Sequence, residues 1–322
     1  MKNEFFMHDL HEQKTGKDFR ANKSPEDIKS LMSGLGYEQI SENIAFRLSL
    51  LSVAFERRNS HFQDAMEIAE IIDNLVPDEL SDNEVNELRA VSLVHDIGKT
   101  GPAGSTEEEQ LAFMTMFNLD FEYGKEHNGF MPGELSIEKA LALKVEEGEV
   151  GAERAEEIKD MIDSASVKQG RVTAETKVSR KTLMRDFWSA HVYWTYDVLK
   201  GEENLSENFV NTAASHHLLD GHDPARIGFE GITSEMAALE MADKYQAYRI
   251  RLMLADRYQA YRRRGARTHE ETIVIMRERL NEQFEAPEGG LIDVKARQIF
   301  EQVLDLIDSH KELFEKEMDL EI

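Results

Sequence analysis

Histidines and carboxylates are the residues best equipped to do chemistry in this 322-residue chain, because it contains no cysteine. Thiolate ligands, cysteine nucleophiles and disulfides are thereby excluded, and any bound metal must rest on His, Asp and Glu. The doublet His-Asp occurs at His8-Asp9, His95-Asp96 and His222-Asp223, so the pair alone carries little information. Context separates them. His95-Asp96 closes an apolar helical run with Val91, Leu93 and Val94, and Ile97-Gly98-Lys99 and the helix-breaking Gly101-Pro102 follow it. A His and an acid at the buried end of a helix are expensive to desolvate unless something binds them, and a divalent cation would compensate both. Neighbouring helix residues lie about 100° apart, so the two side chains straddle a point beside the helix. One offers an imidazole nitrogen and the other a carboxylate oxygen.

Further ligands must come from other helices. His61 opens an amphipathic segment with Phe62, Ala65, Ile68, Ala69 and Ile72, and His191 lies inside the aromatic run from Phe187 to Trp194. The doublet His216-His217 follows Ala213 and Ala214, and Asp243 ends the apolar stretch that begins at Met236. Taken singly, each has a plainer explanation: a hydrogen-bonded core imidazole, a helix-start residue, an acid paired with an arginine. Together they make five imidazoles (His61, His95, His191, His216, His217) and two carboxylates (Asp96, Asp243), a set sufficient for two divalent ions. The octapeptide ending in Arg249 recurs thirteen residues later, so Asp256 is the alternative to Asp243. A thirteen-residue shift turns a helix about 140° short of whole turns, so only one of the two acids can face a given site.

The elements that must position these residues read as helices. Apolar residues recur at three- and four-residue spacing, as in Ile40, Ile44, Leu48, Leu51 and Phe55, and no alternating β-branched run bounded by hairpin turns occurs. An all-α fold is expected. Ser24-Pro25-Glu26-Asp27 has the form of a helix start: a capping serine, proline in the first turn, then acids. Residues 1–45 read as a helical N-terminal extension, and 46–102 and 179–322 as two parts of one helical domain with C-terminal helices. The stretch 103–178 differs in composition, with sixteen acids and five basic residues between Ala103 and Asp163 and breaks at Gly129 and Pro132-Gly133. It reads as an inserted acidic helical subdomain, either a lid or an ordinary surface helical pair.

A formal charge of −25 argues against broad binding to duplex nucleic acid or to anionic membranes. No stretch approaches the roughly 20 apolar residues of a membrane span. The N-terminus, with Lys2, Glu4, His8 and Asp9, lacks a signal-peptide hydrophobic region, so a cytoplasmic protein is expected. A polyanionic substrate needs a local cationic patch. One runs from Lys244 through Arg249, Arg251, Arg257 and Arg262 to Arg267, with Asp256 its single acid, and its plainer reading is a solvated helix face.

The order His61, His95-Asp96-Ile97-Gly98-Lys99, His191, His216-His217, Asp220-Gly221 and Asp243 resembles the HD-GYP family of HD-superfamily phosphohydrolases. The likeness covers about 46–102 and 179–307. It implies an HD-domain helical bundle whose metal ligands fall on His61, His95, Asp96, His191, His216, His217 and Asp243, with Asp96 bridging and Lys99 contacting the substrate phosphate. The family reaction is hydrolysis of cyclic di-GMP, a bacterial second messenger, at a centre of iron or manganese ions. Arg57 replaces the acid that trinuclear members carry four residues before the first His, which favours two ions over three. Where the family shows a glutamate and Gly-Tyr-Pro after the His doublet, this chain has Leu218-Leu219-Asp220-Gly221-His222-Asp223-Pro224, and Gln246 replaces a family aspartate.

The expected activity is therefore a metal-dependent phosphodiesterase acting on a cyclic dinucleotide through a metal-bridging hydroxide, which needs no side-chain nucleophile. Asp96 and Lys99 would be the catalytic residues, and Arg249, Arg251 and Arg262 would contact a second phosphate or a guanine. Two alternatives stay open: an HD phosphohydrolase acting on another nucleotide or a short oligonucleotide, and a degenerate module that binds a nucleotide or a partner. Assembly as a homodimer is also left open.

Overall fold

The structure is a computed structural model and describes residues 23–52, 82–119, 121, 126–127, 129–167, 177–214, 267–284, 301, 304–305, 307–309 and 311. Among the described residues there is no β-strand, only isolated bridges pairing His127 with Phe130 and Ser136 with Leu183. The helices in chain order are α1 (Pro25–Gly34), α2 (Glu42–Leu51), α3 (Asp82–Val94), α4 (Glu107–Phe117), α5 (Ile137–Glu146), α6 (Ala152–Val167), α7 (Met184–Lys200), α8 (Glu207–Ala214) and α9 (His269–Phe284). A 3-10 turn, Ile97–Thr100, follows α3, and a second, Pro132–Glu134, precedes α5. The all-α expectation holds for these residues.

Local chemistry sets the helix starts. Ser24 and Asp27 cap α1 reciprocally, with Pro25 in the first turn, as the Ser-Pro-Glu-Asp pattern predicts. Thr106 and Glu109 do the same for α4 and Thr268 and Glu271 for α9. Each device satisfies backbone N–H groups that the first helical turn leaves without an internal partner.

Two apolar clusters meet along α7. Ile28 and Met32 of α1, Ile44, Leu48 and Leu51 of α2, and Val91 and Val94 of α3 pack with Val198 and Leu199 from the end of α7 and Phe209 of α8. Phe113 of α4, Ile137 and Leu141 of α5, and Ile158 and Ile162 of α6 pack with Met184, Phe187, Ala190 and Trp194 from its beginning. Phe113 stacks on Phe187 at 5.9 Å and meets Trp194 edge-on at 5.1 Å. The acidic stretch therefore shares its core with α7. In α6 the charge lies outward: Ala155, Ile158, Ile162 and Ala165 face in at helical spacing, while Glu153, Glu156, Glu157 and Asp160 are exposed.

Between the clusters, the 3-10 turn Ile97–Thr100 lies against α7, α4 and α2. Backbone approach decides this contact. A Cβ on Gly98 would stand 2.5 Å from the Thr195 nitrogen and closer still to the His191 carbonyl oxygen, so only glycine lets the turn seat on α7. Gly101 ends the turn at φ 88°, and a Cβ there would also strike the Phe113 ring at 2.6 Å. That is the physical content of the Gly101-Pro102 break read from sequence.

Candidate active site

His95 follows the last residue of α3, Asp96 caps the 3-10 turn, Lys99 lies within that turn and His191 sits in the middle of α7. All four are ionisable and buried, at 2 to 6% exposure, and Asp96 and Lys99 are of types most often found in water. Asp96 is the hub. The Lys99 ammonium donates to its Oδ2, which His95 Nε2 faces at 3.5 Å, and His191 Nε2 faces Oδ1 at 3.2 Å. Residues 95 positions apart, from 96 to 191, are thus brought to one carboxylate.

The imidazoles are held in a defined sense. His95 Nδ1 lies 2.6 Å from the Ser92 carbonyl oxygen, and His191 Nδ1 lies against the Trp188 carbonyl oxygen, each three residues back in its own helix. A carbonyl only accepts, so each Nδ1 carries the hydrogen and donates it. In the neutral ring Nε2 then presents a lone pair, and both lone pairs point at a carboxylate. Such an arrangement is stable only when positive charge lies among these atoms. Lys99 provides it beside Oδ2, and a cation between His191 and Oδ1 would supply it to the other oxygen.

The donor set fits a divalent ion in three respects. Two imidazole nitrogens and a carboxylate are borderline-to-hard ligands of the kind iron and manganese accept. Each imidazole is oriented by a hydrogen bond from its other nitrogen, the usual outer-shell support of a metal-bound histidine. Ligand atoms about 2.0–2.2 Å from one ion stand about 3.0–3.5 Å apart, and the two Nε2–Oδ separations are 3.2 and 3.5 Å. Among the described residues no group of three or more His, Asp or Glu side chains encloses an ion by itself. A metal centre here would need further ligands. The expected ones, His61, His216, His217 and Asp243 with its alternative Asp256, lie outside the described residues, as do Arg249, Arg251 and Arg262.

Compared with protein-family models, curated proteins and solved structures, the chain finds no match. Among the described residues no helix is long and apolar enough to cross a membrane.

Several supporting residues escaped the sequence reading. The Thr195 hydroxyl, one helical turn after His191, accepts from the Gly98 N–H at 3.0 Å and donates to the His95 carbonyl at 2.9 Å. One side chain thus ties the two halves of the site together. Thr195→Val is expected to leave both backbone groups unsatisfied and cost about 1–3 kcal/mol, read as a lower urea midpoint at constant slope. Thr195→Ser should recover most of it; a valine variant as stable as wild type would refute the role. Phe117 places its ring edge-on to His191 at 5.7 Å, walling the imidazole on the α4 side. Arg47 of α2 is fully buried and grips the residues after Lys99. Its position three residues after Ile44 put it on the apolar face, a signal legible in the sequence.

Proposed function

We propose that the chain is a metal-dependent phosphohydrolase with an HD-type helical bundle, acting on a cyclic dinucleotide, with cyclic di-GMP the first candidate. The observation that carries this reading is the buried carboxylate of Asp96, faced on one oxygen by His95 and on the other by His191, each with Nε2 forward and Nδ1 tied to a carbonyl. Two imidazoles around one buried carboxylate are a donor set that would hold divalent ions. The resemblance of the residue order to the HD-GYP family supports the same reading and suggests its substrate class.

His95, Asp96 and His191 would hold the ions, completed by His61, His216, His217 and Asp243. Bound divalent iron or manganese supplies Lewis acidity and a nucleophilic water at neutral pH. The protein's own residues do the rest. Ser92 and Trp188 keep both rings in one tautomer, so neither imidazole exchanges a proton through Nδ1 during turnover. Lys99 is held beside Asp96 by its ion pair, and an incoming phosphate competes for that ammonium, drawing positive charge toward the phosphoryl oxygens. Burial of the cluster strengthens each of these interactions relative to water.

A second reading keeps the site and changes the substrate to another nucleotide or a short oligonucleotide. It is favoured by Leu218-Leu219 and His222-Asp223 in the segment where the family pattern has its glutamate and Gly-Tyr-Pro. Purified protein loaded anaerobically with manganese or ferrous iron should linearise cyclic di-GMP, and chelation followed by metal return should abolish and restore the activity. Cleavage of other nucleotides alone would move the assignment to the second reading. Absence of bound transition metal, together with a His95→Ala, Asp96→Ala double variant behaving as wild type, would sink both.

A further inference from the structure

Arg47 carries a guanidinium with no exposed surface, and its five N–H donors are directed at neutral oxygens. Nη1 donates to the Thr100 hydroxyl at 2.7 Å, to the Gly101 carbonyl at 2.9 Å and more weakly to the Thr100 carbonyl at 3.4 Å. Nη2 donates to the carbonyls of Pro102 at 2.7 Å and Ala103 at 3.3 Å, and Nε to Asn43 Oδ1 at 3.2 Å. Burial draws its pKa down to about 10, so it stays charged at neutral pH. Removing a full charge from water is costly, and an apolar side chain would fill the same position on α2 without that penalty.

The cost falls where the candidate site needs rigidity. Apart from Asn43, the acceptors belong to four consecutive residues that begin immediately after Lys99, and Thr100 in turn donates to the Ile97 carbonyl at 2.6 Å inside the same turn. On the opposite side Thr195 fixes Gly98 and His95. The turn bearing Asp96 and Lys99 is thus clamped at both ends, with α2 holding one and α7 the other. Asn43 is shared with Gln110 of α4 at 3.3 Å, and Gln110 also donates to the Ser105 carbonyl at 3.0 Å. The grip therefore extends to the start of the acidic segment. Lysine cannot reproduce it: its three donors radiate from one point, whereas the planar fork reaches successive carbonyls.

We infer that Arg47 is a positioning residue for the candidate catalytic turn, fixing where Asp96 and Lys99 stand relative to the two imidazoles. The inference rests on reading that turn as the catalytic one, but its first test does not depend on turnover. Both Nε2 atoms face Asp96, so the imidazole nitrogen resonances of His95 and His191 report the carboxylate's position. Full-chain protein labelled with nitrogen-15 histidine, metal-free, gives these signals; His95→Gln and His191→Gln assign them. In folded Arg47→Lys both Nε2 resonances should move as Asp96 shifts, with Nδ1–H still held by Ser92 and Trp188, and manganese affinity should fall about 10–100-fold, the range for loss of outer-shell support. In phosphodiesterase assays kcat should fall with KM nearly unchanged.

A cooperatively melting Arg47→Lys variant with unmoved His95 and His191 signals would overturn the inference, leaving Arg47 a packing residue. If lysine prevents folding, Asn43→Ala loosens the guanidinium without touching the turn and takes the same measurements under the same two outcomes. Wild-type protein that binds no manganese and cleaves nothing would count against the proposed function alone, because the imidazole spectra would still decide the role of Arg47.

Discussion

Gly98→Ala is expected to dismantle the candidate site and destabilise the fold by at least about 3 kcal/mol, the upper part of the range for overpacking. The reason is what the added methyl meets. It would stand 2.5 Å from the Thr195 nitrogen and 2.8 Å from its hydroxyl oxygen, and closer still to the His191 carbonyl oxygen. Most of that obstacle is helix backbone, which cannot rotate aside as a side chain can. The turn must lift off α7, and the Gly98–Thr195–His95 bridge breaks with it. Urea denaturation should show the loss, and manganese titration should show weakened binding at temperatures where the variant is still folded. A variant with wild-type midpoint and metal affinity would refute the close-packed contact between turn and helix.

Asp96→Asn is expected to have the second large effect, in two separable parts. Neutralising the carboxylate leaves the Lys99 ammonium buried without its ion-pair partner, a change that typically costs about 3–5 kcal/mol. It also removes the anionic oxygens toward which both imidazoles point, so activity should drop more than about 100-fold, beyond the usual effect of losing an outer-shell group. Adding Lys99→Met separates the parts. Removing both charges of a buried pair is often neutral for stability, so the double variant should melt near wild type while remaining inactive and weak in metal binding. If the double variant is no more stable than Asp96→Asn, the ion pair is not the source of the destabilisation. If Asp96→Asn keeps full metal affinity, the carboxylate is not a ligand and the proposed chemistry fails at its centre.

The Asp96 doublet was legible because several local signals agreed on it. Val91, Leu93 and Val94 read as a buried helix end, and they are buried; the break at Gly101-Pro102 read as a sharp stop, and Gly101 adopts a positive φ there. His191 was singled out as an imidazole in an aromatic helix, and the structure puts it beside Asp96. What stayed hidden were the clamps. Helical spacing after Ile44 puts Arg47 on the apolar face of α2, but neither it nor Thr195 shows in the sequence what it holds. Nothing within a few residues of either reveals the carbonyls it serves, which are 53 to 56 positions away for Arg47 and 100 for Thr195.

By itself the sequence determined the described helices, their caps and breaks, the donor types available to a metal, and the buried helix end that carries His95-Asp96. These follow from interactions between residues three or four apart and from the absence of thiols, so they are written locally. Only the tertiary structure decided that the imidazoles meet opposite oxygens of one carboxylate, that Gly98 touches backbone, and that the acidic segment shares a core with α7. Those facts depend on which helix faces which, a choice made by the summed burial of two apolar clusters and by long-range hydrogen bonds that no short window of residues contains.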